Sequence, residues 1–145
     1  MSAPEALLTL VTLGVSDLAR SIAFYEALGF ERKAREAEGV GFFQAGAIVF
    51  AVWPVKDLAR DAHVDADEVS AFRGVALAWN CRSESDVDAR IERARSSGAT
   101  VPKPAQRTVW GGYAGYFADP DGHLWEVAHN PAFPLTDDGR LVLPD

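Results

Sequence analysis

The chain has 145 residues, 48% of them hydrophobic, and a formal net charge of -7 at neutral pH. That is enough apolar side chain for one packed domain, so a disordered chain is excluded. An acidic balance without a basic stripe argues against nucleic acid as a partner, and no apolar run approaches the ~20 residues of a membrane span. Cys81 is the single cysteine, so no internal disulfide can form. Met1–Leu10 shows neither the basic start nor the cleavage pattern of a signal peptide. Together these give an expectation of cytoplasmic residence.

Taken in chain order, Leu7–Val15 is apolar and rich in β-branched residues and reads as a buried strand. Ser16 and Asp17 are N-cap types, and Leu18, Ile22, Tyr25 and Leu28 then recur at helical spacing. Gly29 is placed to end that helix in the left-handed conformation, with Phe30 packing back on Tyr25. Strands are expected at Phe30–Glu36, Gly41–Ala45 and Ala47–Trp53. Pro54–Phe72 is polar and aperiodic, a linker with a helical turn near Val55–Arg60.

The pattern then returns. Val75–Cys81 is a second apolar strand, and Ser83 with Asp86 resembles a capping box. Val87, Ile91 and Ala94 form a helical stripe closed by Gly98. Strands follow at Thr100–Gln106, Tyr113–Ala118 and Leu124–His129, the last two joined by the turn Asp119-Pro120-Asp121-Gly122. Leu18 aligns with Val87, Ile22 with Ile91 and Gly29 with Gly98. The chain is therefore an α+β duplication, two tandem βαβββ modules at about 6–53 and 73–130 with a linker at 54–72. Residues 132–145, with an Asp138-Gly139 turn, form a short hairpin or strap.

Two stretches, Leu13–Phe30 and Gly115–Glu126, carry a family resemblance. They resemble the opening strand and helix, and the closing strands, of the vicinal-oxygen-chelate superfamily. That superfamily holds glyoxalases, bleomycin-resistance proteins and extradiol-type dioxygenases. The resemblance implies one domain over residues 1–131, whose modules form a curved mixed sheet around a cleft. In metal-using members the ligands come from the first and last strands of each half. In this chain those positions fall at Leu10, Phe50, Ala76 and Glu126. Only Glu126 can bind a metal, because a divalent ion needs several convergent carboxylate, imidazole or thiolate donors. No metal or other cofactor is therefore expected, with a divalent ion as the alternative.

A carboxylate on an apolar strand needs a purpose or a partner, so Glu126 is the candidate catalytic or anchoring group. Trp110 and Tyr113, in the glycine-rich stretch Val109–Phe117, are candidates for the pocket lip. Phe50, Leu10, Ala76, Asn80 and Trp53 complete the expected substrate-binding set. The resulting expectation is a homodimer that binds a small organic molecule in an apolar, aromatic cleft without a metal. The alternatives are a lyase, isomerase or dioxygenase using Glu126, and a structural or regulatory interaction module. Fold alone does not choose among them.

Overall fold

The computed structural model describes residues 8–66 and 72–143. Leu7, expected to open the first strand, and residues 67–71 of the linker lie outside the described residues. The first half comprises β1 (Leu10–Val15), α1 (Leu18–Leu28), β2 (Glu31–Lys33), β3 (Gly41–Ala45) and β4 (Ile48–Pro54). A helix α2 (Val55–Ala62) follows, and then the second half: β5 (Ala76–Asn80), α3 (Glu84–Ser96), β6 (Thr100–Arg107), β7 (Tyr113–Ala118) and β8 (Leu124–His129). Each half forms its own four-stranded mixed sheet, ordered β1-β4-β3-β2 and β5-β8-β7-β6. In both, the first and last strands of the half pair in parallel.

Local chemistry explains where the helices begin and end. Asp17 caps α1 by accepting a hydrogen bond from the Arg20 amide at 3.0 Å, and the Ser83 hydroxyl accepts from the Asp86 amide at 3.1 Å at the start of α3. Gly29 ends α1 at φ 101°, and the Phe30 amide reaches back to the Tyr25 carbonyl. Two expectations are corrected in extent. The strand expected over Phe30–Glu36 is only three residues long. The helical turn in the linker is a full two-turn helix, α2, started by Pro54, which has no amide proton to leave unsatisfied.

Both sheets turn their larger side chains toward one shared core. Leu13, Phe43, Phe50 and Val52 from the first sheet meet Phe117, Trp125 and Val127 from the second, with Tyr25, Leu28, Val87 and Ile91 of the helices among them. Tyr25 is the centre of this cluster: its ring lies 4.9 Å from Phe50 and 6.0 Å from Trp125, so it touches both halves.

The halves are also tied by a polar joint at the β7–β8 turn. The Tyr25 hydroxyl donates to buried Asp119 at 2.6 Å and accepts from the Trp125 indole at 3.2 Å. The other Asp119 oxygen accepts from the amides of Asp121 and His123. Nε2 of His123 donates to the Gly14 carbonyl at 2.7 Å, which leaves Nδ1 to accept from Arg73. The Ser16 amide and hydroxyl both donate to Asp121 at 2.8 Å. Burial, and then the Asp119 carboxylate, push the Tyr25 phenol well above its usual range. After β8 the chain forms the expected strap, closed by a bridge between Leu135 and Leu141. None of the described helices is long and apolar enough to cross a membrane.

Candidate functional site

Strand alternation sorts the site residues by face. On β8, Trp125 and Val127 enter the core, so Leu124, Glu126 and Ala128 occupy the outer face of the second sheet. Pairing then fixes the neighbours of Glu126. It stands opposite Ala78 of β5 on one side and Tyr116 of β7 on the other, and Tyr116 in turn stands opposite Lys103 of β6. One row thus crosses the sheet: Lys103, Tyr116, Glu126, Ala78. The Tyr116 hydroxyl donates to Glu126 Oε2 at 3.1 Å. Burial, and then the Glu126 charge, raise the Tyr116 phenol above its ordinary value, so it remains a proton donor at neutral pH. Among the described residues no cation pairs with Glu126. Lys103 is two strand spacings away, about 10 Å.

Beside this row lies a shallow hollow of about 290 Å³ lined by Ala76, Pro102, Lys103, Tyr116, Leu124 and Phe72. Its walls are apolar except for the Lys103 ammonium and the Tyr116 hydroxyl. The arrangement can therefore seat an apolar body and present a carboxylate–phenol pair to a polar group at its edge.

The sequence-derived set divides among several places. Glu126 and Ala76 share the outer face of the second sheet, and Asn80 lies on β5 at the end of that face. Leu10 and Trp53 lie on the outer face of the first sheet, where Leu10 is exposed. Phe50 is corrected outright: it is 3% exposed and packs against Tyr25, Phe30 and Phe43 in the core. The reason is how each strand leaves its turn. Gly46 and Gly122 both stand two residues before the next strand, but Ile48 opens β4 on the face of Phe50 and Val52, whereas Leu124 opens β8 on the face of Glu126. The same count from the turn glycine therefore lands on opposite faces. The true structural counterpart of Glu126 is Ala51, flanked by Thr12 and Phe42.

Tyr113 is also corrected. It sits on the helix side of β7, and its hydroxyl donates to Asp88 of α3 at 2.7 Å. Trp110 is half exposed on the β6–β7 loop, its ring lying over Gly112, where an added Cβ would fall 1.8 Å from the indole. His129 faces the Cys81 carbonyl and, like His123, is engaged by backbone. Tyr116 and Lys103 were missed. The alternation of Tyr113–Ala118 carried the signal, because it places Tyr116 opposite in facing to Phe117.

The match to a family model decides the relationship. The model of the Glyoxalase/Bleomycin resistance protein/Dioxygenase superfamily matches residues 7–127. The chain belongs to this superfamily. A glyoxalase-related enzyme from Fulvimarina pelagi has the same fold with a TM-score of 0.87 and 36% identity, over 96% of this chain and 99% of that one. The metallothiol transferase FosB of Shouchella clausii is 29% identical over 119 residues, 81% of this chain and 75% of its own. An uncharacterized protein of Mycobacterium bovis is 44% identical over 43 residues; the match covers 30% of this chain and only 28% of that protein's length.

Some superfamily members use a divalent metal, so the donor set here needs testing against one. The residues present do not fit it. Leu10 and Ala76 carry no donor atom, Ala78 beside Glu126 carries none, and Tyr116 is held protonated. Among the described residues no three His, Cys, Asp or Glu side chains converge. A single carboxylate does not hold a divalent ion against water.

Proposed function

We propose that this superfamily member binds a small, largely apolar organic molecule on the outer face of its second sheet, without a metal, with Glu126 as the polar anchor. One observation carries the reading: Glu126 is kept on an otherwise apolar strand face, with a phenol donor beside it and, among the described residues, no cation to neutralise it. A carboxylate with only a structural task is usually paired when it is taken partly out of water. Its second oxygen accepts no hydrogen bond among the described residues and is available to a ligand donor.

A homodimer would complete the site. The outer face of the first sheet exposes Leu10, and the outer face of the second lies beside exposed Phe72 and Val75. A second copy that set the first face against the second would bring Leu10 and Trp53 toward Glu126 and remove both apolar surfaces from water. The free thiol of Cys81 suits a reducing, cytoplasmic setting.

The test is a thermal-shift screen of small organic molecules, repeated on Glu126→Gln, with elemental analysis of protein purified without added metal. Hits that raise the wild-type midpoint and lose their effect in the variant support the reading. About one metal per chain, lost in Glu126→Ala, would overturn the metal-free part of it. A second reading, an enzyme in which Glu126 acts as general base, is favoured by the same Tyr116–Glu126 pair, since a phenol beside a carboxylate can stabilise developing negative charge. Turnover of a bound hit, abolished in Glu126→Gln, would select it over simple binding.

A further inference from the structure

A second cleft, of about 760 Å³, lies on the helix side of β5, between the end of α1, the β3–β4 turn, the first turns of α3 and the strap. Its aromatic wall is Phe30 and Trp79, whose rings lie 4.9 Å apart. The Arg90 guanidinium lies over the Trp79 ring, 4.8 Å from its centroid. Nη1 of Arg90 is committed to the Cys81 sulfur and the Asp86 carbonyl, each at 3.5 Å. Among the described residues, Nε and Nη2 make no hydrogen bond and Arg90 has no ion-pair partner.

Three arginines, Arg82, Arg90 and Arg140, and three carboxylates, Glu31, Asp86 and Asp138, line this cleft, but they are not all paired with one another. Glu31 is paired with Lys33 at 2.8 Å, and Asp138 with Arg140 at 3.2 Å. Arg82 spends its Nη2 on the strap carbonyls of Thr136 and Asp137 and meets no carboxylate among the described residues. Asp86 is the remaining acid, placed in the first turn of α3, where the helix end favours a negative charge. Two unpaired guanidiniums therefore face one unpaired carboxylate, in a chain whose net charge is -7.

We propose that this cleft is a second ligand site, for a planar aromatic carboxylate. The Nε and Nη2 fork of Arg90 matches a carboxylate in bidentate geometry, and its stacking on Trp79 holds the fork in place before the ligand arrives. The ligand's ring lies against Phe30 and Trp79. The volume suits a molecule of that size. The site does not involve Glu126, which lies on the opposite face of the second sheet.

The probe is 2-naphthoate, titrated calorimetrically into the full chain, with uncharged 2-naphthamide as the shape control. The expected result is saturable 2-naphthoate binding, about tenfold or more tighter than that of the amide and about tenfold weaker in Arg90→Gln. Glu126→Gln should leave the affinity unchanged. If Arg90→Gln fails to fold, Arg90→Lys, which keeps the charge but loses the fork, and the amide control carry the decision. Absent binding, equal affinity for naphthoate and naphthamide, or a loss in Glu126→Gln that matches Arg90→Gln would each overturn the proposal.

Discussion

The two halves repeat the same topology but not the same chemistry. In the first, the row across the outer face is Phe42, Ala51 and Thr12; in the second, the corresponding row is Tyr116, Glu126 and Ala78. The first outer face is also partly covered, because α2 starts directly against it: an added Cβ on Gly14 would meet Val55 at 3.0 Å. Among the described residues no helix covers the second face in this way, and its Ala76 and Ala78 are exposed. Duplication therefore preserves the core-facing residues, Phe50 and Val52 against Trp125 and Val127, while the outward positions diverge. A packed interior constrains shape from all sides, whereas a surface position is constrained only by what it must bind.

This contrast can be broken from the inside first. Phe50→Ala should cost about 3–5 kcal/mol in urea unfolding, because it opens a cavity where the aromatic residues of both halves meet. A cost below about 1 kcal/mol, the range of surface positions, would return Phe50 to an exposed face. Asp119→Ala should cost about 3 kcal/mol, since it strands the Tyr25 hydroxyl and two amides that now donate to a buried carboxylate.

Alkaline unfolding probes the same joint without a truncation. The Tyr25 phenol titrates higher in the folded chain than its unfolded value of 10.0. Its contribution is therefore complete below that pH and is lost above it, by about 1.4 kcal/mol per pH unit until the folded value is reached. Tyr25→Phe should flatten this slope in denaturant midpoints measured from pH 9 to 11.

Smaller effects sharpen the comparison. Ser83→Ala and Asp17→Ala each remove one helix cap and should cost about 1 kcal/mol, equal in the two halves if the duplication is structurally symmetric. Glu126→Gln should change stability by less than about 0.5 kcal/mol, because no cation among the described residues is left behind and the amide can still accept from Tyr116. A loss of 3 kcal/mol or more would mean that Glu126 is a structural partner, and the functional asymmetry between the halves would disappear.

The fold was legible because hydrophobic period and caps agree along the chain. The positions of α1, α3, β3, β7 and β8 follow from periodicity, and Asp17, Ser83 and Gly29 mark helix boundaries by mechanism. The site was legible only in part. Glu126 stands out as a charge in an apolar strand, but Phe50 and Tyr113 show that an aromatic residue carries no record of which face its strand gives it. Tyr116 needed its register with Glu126, and the Tyr25–Asp119 bond spans 94 positions that no local pattern connects. The Asp-Pro-Asp-Gly stretch read as a turn; that its first carboxylate joins the two halves was not visible from turn chemistry.

That joint also has a kinetic meaning. The bonds from Tyr25 to Asp119, Ser16 to Asp121 and His123 to Gly14 close loops of 94, 105 and 109 positions, whereas each half can assemble from contacts made within itself. Contacts that close such long loops tend to form after the rate-limiting barrier. Damage there should leave the refolding rate nearly unchanged and appear as faster unfolding. The β7–β8 turn would then act as a latch that sets how long the assembled protein lasts, rather than how quickly it is made.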